Sequence, residues 1–396
     1  RVCPLCTAQP GVLPVLNRYA VELAFKAALA LDCKLADQSI FARKNYFYPD
    51  LPKAYQISQY DQPFSQHGKL VVNVGGAAKT IGITRIHMEE DAGKLVHELG
   101  GGAKLDGSLV DLNRAGVPLI EIVSEPDMRT SDEAYAYLTA LKEVIQFAGS
   151  SRCDMEKGEM RCDANVSVRP VGQKEFGTRT ETKNLNSFKN VKDAIDAEFR
   201  RQVEVIEGGG KIVQETRLWD ATTQTGRSMR TKEDAHDYRY FPDPDLVPLV
   251  ADPKWIAELK AGLSELPAAK RARLMSELGL SSYDAEVLTS DKLLADYFEK
   301  AVAAAPAGSA KTVSNLLTTE MLGRLNAEGK TAPQSPVLAA HLGELTGLVA
   351  GGTLSSKGAK DVFAKMWESG KAPKALVEEL GLSQVSDDKQ VMEWVL

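Results

Sequence analysis

The sequence predicts an α+β protein in which a mixed region of strands and helices is followed by an almost entirely helical one. Strand and helix patterns are mixed over about the first 250 residues, which also contain nearly all of the His, Cys and aromatic clusters. After Pro253 the sequence is rich in Ala, Leu, Lys and Glu, which favour helices. A chain of 396 residues can form two or three cores. We expect domains at residues 1–252, 253–310 and 311–396.

The composition is that of a soluble globular protein, with 43% hydrophobic and 26% charged residues. No apolar stretch approaches the length of a membrane-spanning helix, so no membrane partner is expected. Lys and Arg total 48 against 54 for Asp and Glu, a net charge of -6. An RNA partner would therefore need local basic patches. Five cysteines are too few for a disulfide scaffold and favour a cytoplasmic location.

Both ends of the sequence have the character of internal segments. The first residue is Arg1 rather than Met, two positions before a cysteine motif, and the final VMEWVL continues a helical pattern. We expect that residues precede and follow the given sequence. A targeting signal upstream would not be visible.

Caps and turns define the first elements. Asn17 precedes a run of helix formers that extends to Leu31, which predicts a helix with an Asn N-cap. The segment from Lys69 to Glu89 predicts a β-hairpin that turns at Gly75-Gly76.

Two longer helices follow in the first region. Thr130 and Glu133 have the spacing of a capping box, and Gly149 can terminate the helix that they begin. Ser187 is expected to cap a second helix, which stops at Gly208-Gly209-Gly210.

The helical region is divided by two stretches rich in turn residues. Residues 305–311 predict a linker and residues 326–336 predict a loop. Over the last sixty residues we expect short helices capped at Ser335, Ser356 and Ser386.

The most informative segment is MRCDANVSVR, from Met160 to Arg169. With a period of two, its apolar residues point one way and its polar residues the other. The polar face contains Arg161, Asp163, Asn165, Ser167 and Arg169. In the following TRTETKNLNS, threonines alternate with Arg179, Glu181 and Lys183. Two adjacent strands with these side chains on one face resemble the floor of a phosphate- and metal-handling cleft. The alternative is an exposed strand face.

A second cluster lies in ITRIHMEEDAGK. Arg85, His87 and Glu89 share a strand face, whereas Glu90 falls on the opposite face unless the strand ends before it. Carboxylates gathered with His suit Mg²⁺, which prefers oxygen ligands and is commonly shared with nucleotide phosphates. The alternative is a solvated strand end.

A third cluster interleaves aromatic residues with cations, from Arg43 to Pro63. It contains Tyr46, Tyr48 and Lys44, and its prolines exclude one long helix. Such rings could stack on an adenine or a terminal nucleotide base. An aromatic-rich packed loop is the alternative. Residues 237–248 repeat the pattern.

Other site motifs are incomplete or absent. Cys3 and Cys6 have half of a zinc-ribbon spacing, and no second CxxC is visible. The sequence has no P-loop, no GxGxxG before a helix and no GxSxG, and Gly100-Gly101-Gly102 matches none of them. Any use of ATP must come from another type of fold.

Long motifs in a fixed order resemble the GatB family, the B subunits of aspartyl/glutamyl-tRNA amidotransferases. These motifs span most of residues 9 to 248 and read PGVLPVLN, RKNYFYPDLPKAYQISQYDQP, ITRIHMEEDAGK, SLVDLNRAGVPLIEIVSEPD, MRCDANVSVRP, ETKNLNSF and DYRYFPDPDLVP. The helical remainder is similar to the family's linker and tail domain.

The resemblance implies a fold and a reaction. It implies a mixed cradle domain similar to the glutamine synthetase fold, which binds ATP, Mg²⁺ and the charged tRNA end. In such enzymes the side-chain carboxylate of Glu on tRNA(Gln), or Asp on tRNA(Asn), is phosphorylated and then converted to the amide by ammonia. The implied partners are the amidase, or A, subunit, which supplies the ammonia, and the small C subunit. The tail domain is expected to contact the tRNA body.

Carried onto this sequence, the resemblance implies a role for each site residue. Glu90 is expected to bind Mg²⁺, with Glu89 and His87 in or beside its coordination shell. Cofactor binding is expected from Arg85, Tyr46 and Tyr48. Catalytic roles are also expected. Lys44 would contact phosphate or the substrate carboxylate, and Asp163 would bind metal or orient the ammonia. The residues that would complete the cleft are Arg161, Glu181 and Lys183. Cys3 and Cys6 match the second half of the zinc ribbon that some members carry.

Two other functions are compatible with parts of the sequence. A tRNA-binding scaffold without catalysis would leave the acids beside Arg and Lys on the two strands without a role. A stand-alone ATP-dependent ligase that forms amides of small carboxylates would work without tRNA. No amidase or glutaminase signature is present, so ammonia must come from a partner.

Overall fold

The computed structural model describes residues 2–99, 103–231 and 238–382. The chain divides into two compact units, Arg1–Ser264 and Glu265–Leu396. The first unit mixes strands and helices and the second is helical in its described part, which confirms the α+β class. The boundaries at 252/253 and 310/311 stay predictions. Within the described residues, no helix has both the length and the apolar character needed to cross a membrane.

The first unit contains small sheets with helices beside them. Its strands are β1 Lys34–Leu35, β2 Gln38–Ser39, β3 Ala42–Asn45, β4 Tyr55–Ser58, β5 Ser65–Val74, β6 Ala77–Glu90, β7 Lys94–Leu99, β8 Ala103–Asp111, β9 Pro118–Ser124, β10 Cys162–Val166, β11 Thr180–Leu185, β12 Glu215–Asp220, β13 Thr225–Thr231, β14 Phe241–Pro242 and β15 Leu249–Val250. Its helices are α1 Arg18–Ala30, α2 Ser131–Phe147, α3 Phe188–Glu207 and α4 Pro253–Ala261.

The strands pair in five described sheets. Their orders are β1-β5-β6-β9, β10-β11-β12-β13, β14-β3-β4, β15-β2 and β7-β8.

The sheet β1-β5-β6-β9 is organised around the predicted hairpin. Strands β5 and β6 pair antiparallel, and Gly75 and Gly76 make the turn with φ of 58° and 84°. Glycine adopts these positive φ values without the steric cost that a Cβ would add. Strand β9 pairs antiparallel along the other edge of β6. The predicted hairpin is therefore confirmed and extended by one strand.

The sheet β10-β11-β12-β13 shows the predicted alternation. Asp163 is exposed on β10 and Ala164 is buried, while on β11 the buried Thr180 and Thr182 alternate with Glu181. The two strands pair antiparallel. Helix α3 packs on the threonine face, so the charged side chains lie on the face away from the helix.

The predicted helix starts in the first unit are confirmed by their caps. Asn17 Oδ1 accepts a hydrogen bond from the Ala20 amide, and Ser187 Oγ accepts one from the Asn190 amide. Thr130 Oγ1 accepts one from the Glu133 amide at 3.1 Å. The Glu133 carboxylate, in contrast, accepts from the Arg129 amide and pairs with Lys79, so the second half of a capping box is replaced by a cross-link to β6.

The second unit consists of short helices in its described part. They are α5 Pro267–Leu278, α6 Ser282–Leu288, α7 Lys292–Ala303, α8 Ala310–Leu316, α9 Leu322–Ala327, α10 Ala339–Ala350, α11 Ser356–Ser369 and α12 Pro373–Leu380, with a π-helical turn at Leu317–Met321 and a 3-10 turn at Ala332–Gln334. One hydrophobic cluster extends from Leu274 to Val377 and includes Phe298, Val313 and Phe363. Residues on both sides of position 310 therefore share a core.

Two of the predicted caps in this unit were wrong in position. Ser355 caps α11, because its Oγ accepts from the Gly358 amide, and Ser356 is the first helical residue. Ser335 does not begin a helix: it follows the 3-10 turn, its Oγ accepts from the Val337 amide, and the residue before α10 is Leu338. Ser386 and Gly100-Gly101-Gly102 lie outside the described residues.

Replacing Thr130 with Ala is expected to lower the free energy of unfolding of the first unit by about 1 kcal/mol, because the cap of α2 is lost. Urea unfolding followed by circular dichroism measures the change. Thr139→Ala is the matched control, since that hydroxyl bonds only to Tyr135 of its own helix and Ala favours helices. Equal stability of Thr130→Ala and the wild type would contradict the proposed cap.

Candidate functional site

A candidate metal-binding group lies where β6 and β9 pair. His87 and Glu89 lie on β6, and the register places His87 directly opposite Glu121 of β9. The three side chains each offer one ligand atom, and these atoms lie within 4.8 Å of one another. His87 is buried, with 4% of its surface exposed, whereas Glu121 is exposed. The group therefore opens to solvent on the side of Glu121.

Neighbouring strand β4 fixes Glu89 in this group. Ser58 Oγ donates to Glu89 Oε1 at 2.7 Å, and Gln56 Nε2 donates to Oε2 at 3.2 Å. Burial alone would raise the pKa of Glu89, but the contacts with His87 and Ser58 and the charge of Lys44 outweigh it and hold the pKa below its ordinary value. The carboxylate is therefore ionised near neutral pH.

The donor set fits a divalent cation. Two carboxylates and one imidazole provide oxygen and nitrogen ligands with two negative charges, a set that suits Mg²⁺ or Mn²⁺. His87 Nδ1 is buried and has no hydrogen-bond partner among the described residues. Glu121 was missed in the sequence, although it lies within PLIEIVS of a quoted motif. Only the pairing of β9 with β6 brings it to His87.

Glu90 faces the other side of β6, as the period-two pattern indicated. Its carboxylate forms an ion pair with Lys53 and accepts the Ile57 amide at 2.8 Å. Both side chains are nearly buried, with 6% of Lys53 and 10% of Glu90 exposed. Metal binding by Glu90 stays a prediction. The pairing of Lys53 with Glu90 was not predicted, because the two residues are 37 positions apart in the sequence.

Arg85 provides a cation beside the metal-binding group. It lies on β6 two residues before His87 and on the same face. Its Nε is buried and has no hydrogen-bond partner within the described part of the chain. Arg85 thus places a guanidinium on the face that carries His87 and Glu89, and guanidinium groups bind anions such as phosphate strongly.

Three tyrosines, Tyr46, Tyr48 and Tyr238, lie near the carboxylates and form what we call the tyrosine wall. Strand β14 pairs with β3, which brings the segment after residue 237 against Lys44 and Tyr46. Lys44 Nζ lies 4.9 Å from the Tyr238 ring centroid, and Tyr46 contacts the Tyr48 and Tyr238 rings edge-on. Burial raises the pKa of Tyr46 to about 12. The two aromatic segments found in the sequence are thus neighbours in space.

The tyrosine wall also includes a stacked pair of rings, Tyr60 and Tyr240. The Tyr60 and Tyr240 rings are nearly parallel, with centroids 4.2 Å apart. Burial raises the pKa of Tyr240 to about 12, and the charge of Glu89 adds to the effect. These two rings were not singled out as site residues in the sequence.

A second charged group lies on the exposed face of β10 and β11. Lys183 Nζ lies 2.5 Å from Asp163 Oδ2 and 3.4 Å from Glu181 Oε1. Burial alone would lower the pKa of Lys183, but Asp163 and Glu181 outweigh it and raise the pKa above its ordinary value. Lys183 is therefore a fixed cation near neutral pH. Arg161 does not join this group, because it pairs with Asp91.

The cysteine motif brings two sulfur atoms together. Cys3 Sγ and Cys6 Sγ lie 3.3 Å apart, and Cys6 Sγ donates to the Ala115 carbonyl. The backbone of Cys6 lowers the pKa of Cys3, whereas burial raises that of Cys6 to about 11. Among the described residues, no third His, Cys or acid completes a metal-binding group here. Zinc binding stays a prediction.

The first unit combines carboxylates that can hold a divalent cation with neighbouring arginine and lysine cations. This combination in a mixed α+β unit is typical of domains that handle metal-bound phosphates. The family comparison assigns the chain more specifically. Residues 1–257 match the family model described as the GatB/GatE catalytic domain, and residues 296–396 match the one described as the GatB domain. The chain belongs to the GatB family.

Curated relatives are similar over nearly the whole chain, and the three that follow are each named as the B subunit of aspartyl/glutamyl-tRNA(Asn/Gln) amidotransferase. The protein of Geotalea daltonii is 58% identical over 391 residues, which cover 99% of this chain and 81% of the relative. That of Geobacter sulfurreducens is 58% identical over 98% of this chain and 80% of the relative. That of Brevibacillus brevis is 52% identical over 100% of this chain and 81% of the relative.

Replacing Glu121 with Gln is expected to weaken Mn²⁺ binding roughly tenfold or more, since one charged ligand is removed. The affinity for Mn²⁺ is measured from the paramagnetic resonance signal of the free ion. The affinity for Mg²⁺ is measured by its competition with Mn²⁺. Glu175→Gln, a change at an exposed carboxylate, is the control and should bind as the wild type does. Unaltered Mn²⁺ affinity of Glu121→Gln would exclude this residue as a ligand.

Proposed function

We propose that this chain is the component of a tRNA-dependent amidotransferase that activates a side-chain carboxylate with ATP and converts it to an amide. The substrates would be Glu on tRNA(Gln), Asp on tRNA(Asn), or both. The observation that carries the proposal is the His87–Glu89–Glu121 group with Arg85 beside it on the same strand. Its relatives are named for amidotransferase action on these aminoacyl-tRNAs.

The chemistry explains why such a site is needed. A carboxylate is a poor electrophile, so one of its oxygens attacks the γ-phosphorus of ATP and ADP leaves. Ammonia then attacks the acyl carbon of the mixed anhydride, loses a proton and expels inorganic phosphate. Mg²⁺ would neutralise the negative charge on the phosphates when it is bound. Positioning provides much of the rate enhancement in such reactions.

The charged residues have separate roles in this proposal. Glu89, His87 and Glu121 hold the cation, and Glu90 is a further proposed ligand that would first have to leave Lys53. Arg85 would bind a phosphate oxygen through its guanidinium, because it lies on the same face of β6 as His87. Lys44 contacts the phosphate or the substrate carboxylate.

The second charged group acts on ammonia. Asp163 orients ammonia or accepts its proton, while Lys183, held as a cation by Asp163 and Glu181, stabilises the negative charge that develops on the acyl group. Arg161 pairs with Asp91 and is not part of this group. The tyrosine wall with Tyr46 and Tyr48 would stack on a nucleotide base.

The organisation of the chain follows from the same proposal. Residues 1–252 would form the glutamine synthetase-like cradle, 253–310 the linker and 311–396 the tail that contacts the tRNA body. This tail has five lysines between residues 357 and 374 that could contact RNA. Four of them are engaged in ion pairs, namely Lys360, Lys365, Lys371 and Lys374, and the fifth is Lys357. RNA would therefore compete with carboxylates for most of them.

The partners and location complete the proposal. The amidase, or A, subunit would supply ammonia, and the small C subunit would complete the assembly in the cytoplasm. Zinc would be held by Cys3 and Cys6 together with ligands from outside the given sequence.

The test combines the chain with its amidase partner, mischarged Glu-tRNA(Gln), labelled ATP, Mg²⁺ and an ammonium salt. ADP is expected only with the charged tRNA and in proportion to Gln-tRNA formed. ATP consumption with free glutamate and no tRNA would instead identify a small-molecule ligase. Binding of tRNA without any ATP hydrolysis would identify a scaffold.

In the same assay, Asp163→Asn and Glu90→Gln are each expected to lower amidation by roughly a hundredfold or more, because the first change removes a proposed proton-transfer group and the second a proposed ligand of the cation. Glutamine hydrolysis by the partner should be unchanged. Glu156→Gln, an exposed carboxylate in the segment before β10, is the control and should retain full activity. Normal amide formation by both site variants would refute the assigned roles.

A further inference from the structure

Asp91 connects the two charged groups of the site. It directly follows β6, and its Oδ2 forms an ion pair with Arg114, whose Nε lies 2.8 Å away, and a second ion pair with Arg161 Nη2. Arg161 directly precedes β10. One carboxylate oxygen thus joins the end of a strand in the sheet β1-β5-β6-β9 to the start of a strand in the sheet β10-β11-β12-β13. Only 12% of the Asp91 side chain is exposed.

The backbone around Asp91 is held as firmly as its side chain. The Asp91 amide donates to the Val117 carbonyl at 2.9 Å, and its carbonyl accepts the Gly116 amide at 2.8 Å. Gly116 has a φ of +73°, and a Cβ added there would lie 2.6 Å from Cys6 Sγ. The loop that carries Arg114 is therefore fixed between Cys6 and the end of β6.

The link lies close along the backbone to the reacting groups. Glu89 lies two residues before Asp91, and Asp163 lies two residues after Arg161, so a short stretch of backbone separates the ion pair from each group. A shift of the Asp91–Arg161 contact would move the metal-binding group relative to the Lys183–Asp163 pair. These two groups serve consecutive steps on the same acyl carbon in the proposed reaction.

We propose that Asp91 is a positioning residue, which sets, through Arg161, the distance between the phosphorylating group and the group that handles ammonia. This role rests on the proposed function. It assigns Arg161 to alignment rather than to contact with the substrate. When Arg161 is changed, Arg114 still forms an ion pair with Asp91. Arg161 variants therefore do not leave the nearly buried Asp91 carboxylate unpaired.

The experiment uses the complete amidotransferase complex with charged tRNA and measures ADP release and amide formation separately. Asp91→Asn and Arg161→Gln are each expected to lower kcat for amidation roughly ten- to a hundredfold, the effect of a displacement of about 1 Å. KM for charged tRNA and for ATP should change by less than about twofold, since the binding groups are intact.

The ratio of ADP to amide is the decisive readout. In misaligned variants, water is expected to attack the acyl carbon before ammonia, so that ADP and phosphate form while the carboxylate is regenerated. The ratio should therefore rise in both single variants. The double variant should be no worse than the more impaired single variant, because both changes break the same contact. Arg161→Lys, which keeps one charged donor, should be less impaired than Arg161→Gln.

The control is Arg152→Gln, which removes the exposed Arg152–Glu159 ion pair in the segment before β10. It should leave kcat and the ratio unchanged. A fall in kcat at a constant ratio, with a lower melting temperature, would show a merely structural role and overturn the proposal. If the fold losses in kcat of the two single variants multiplied in the double variant, the two residues would act independently. That result would also overturn the proposal. Absence of amide from the wild-type complex would refute the proposed function itself, which the variants do not test.

Discussion

The antiparallel register of β6 against its neighbours is the constraint on which the candidate site depends. Pairing with β9 places Glu121 opposite His87, and packing of β4 against β6 brings Ser58 and Gln56 to the Glu89 carboxylate. A shift of one residue in β6 would exchange Glu89 with Glu90, and therefore a carboxylate of the candidate metal-binding group with one held by a lysine. Hydrophobic side chains such as Ile83 and Ile86, which are almost fully buried, oppose that shift.

The distribution of charge reconciles an acidic chain with anionic substrates. The net charge of -6 predicts no general attraction for nucleic acid. Within the first unit, however, individual cations lie beside carboxylates, as Lys44 is near Glu89 and Lys183 is beside Asp163. In the proposed reaction, phosphates would meet these cations at the carboxylates that hold them. Recognition of charged tRNAs would then depend on local geometry more than on long-range attraction.

What the sequence predicted correctly was local. The caps Asn17 and Ser187, the turn at Gly75-Gly76 and the alternation on β10 follow from interactions within a few residues. What it missed was set by pairing between distant segments. Glu121 joins His87 only through the β6–β9 register, and Arg161 meets Asp91 seventy positions away. A periodic pattern shows which face a side chain occupies but not what lies opposite it.

The alternation along β11 also determines where the chain tolerates changes in length. Thr180 and Thr182 bond to or face α3, and Glu181 and Lys183 face outward. An added residue in the exposed turn around Val171 leaves this order intact. A residue added inside β11 would move the side chains that follow it to the opposite face of the strand and would bury two charges against the helix. Length variation in this part of the molecule should therefore be confined to the turns, with strand lengths held constant.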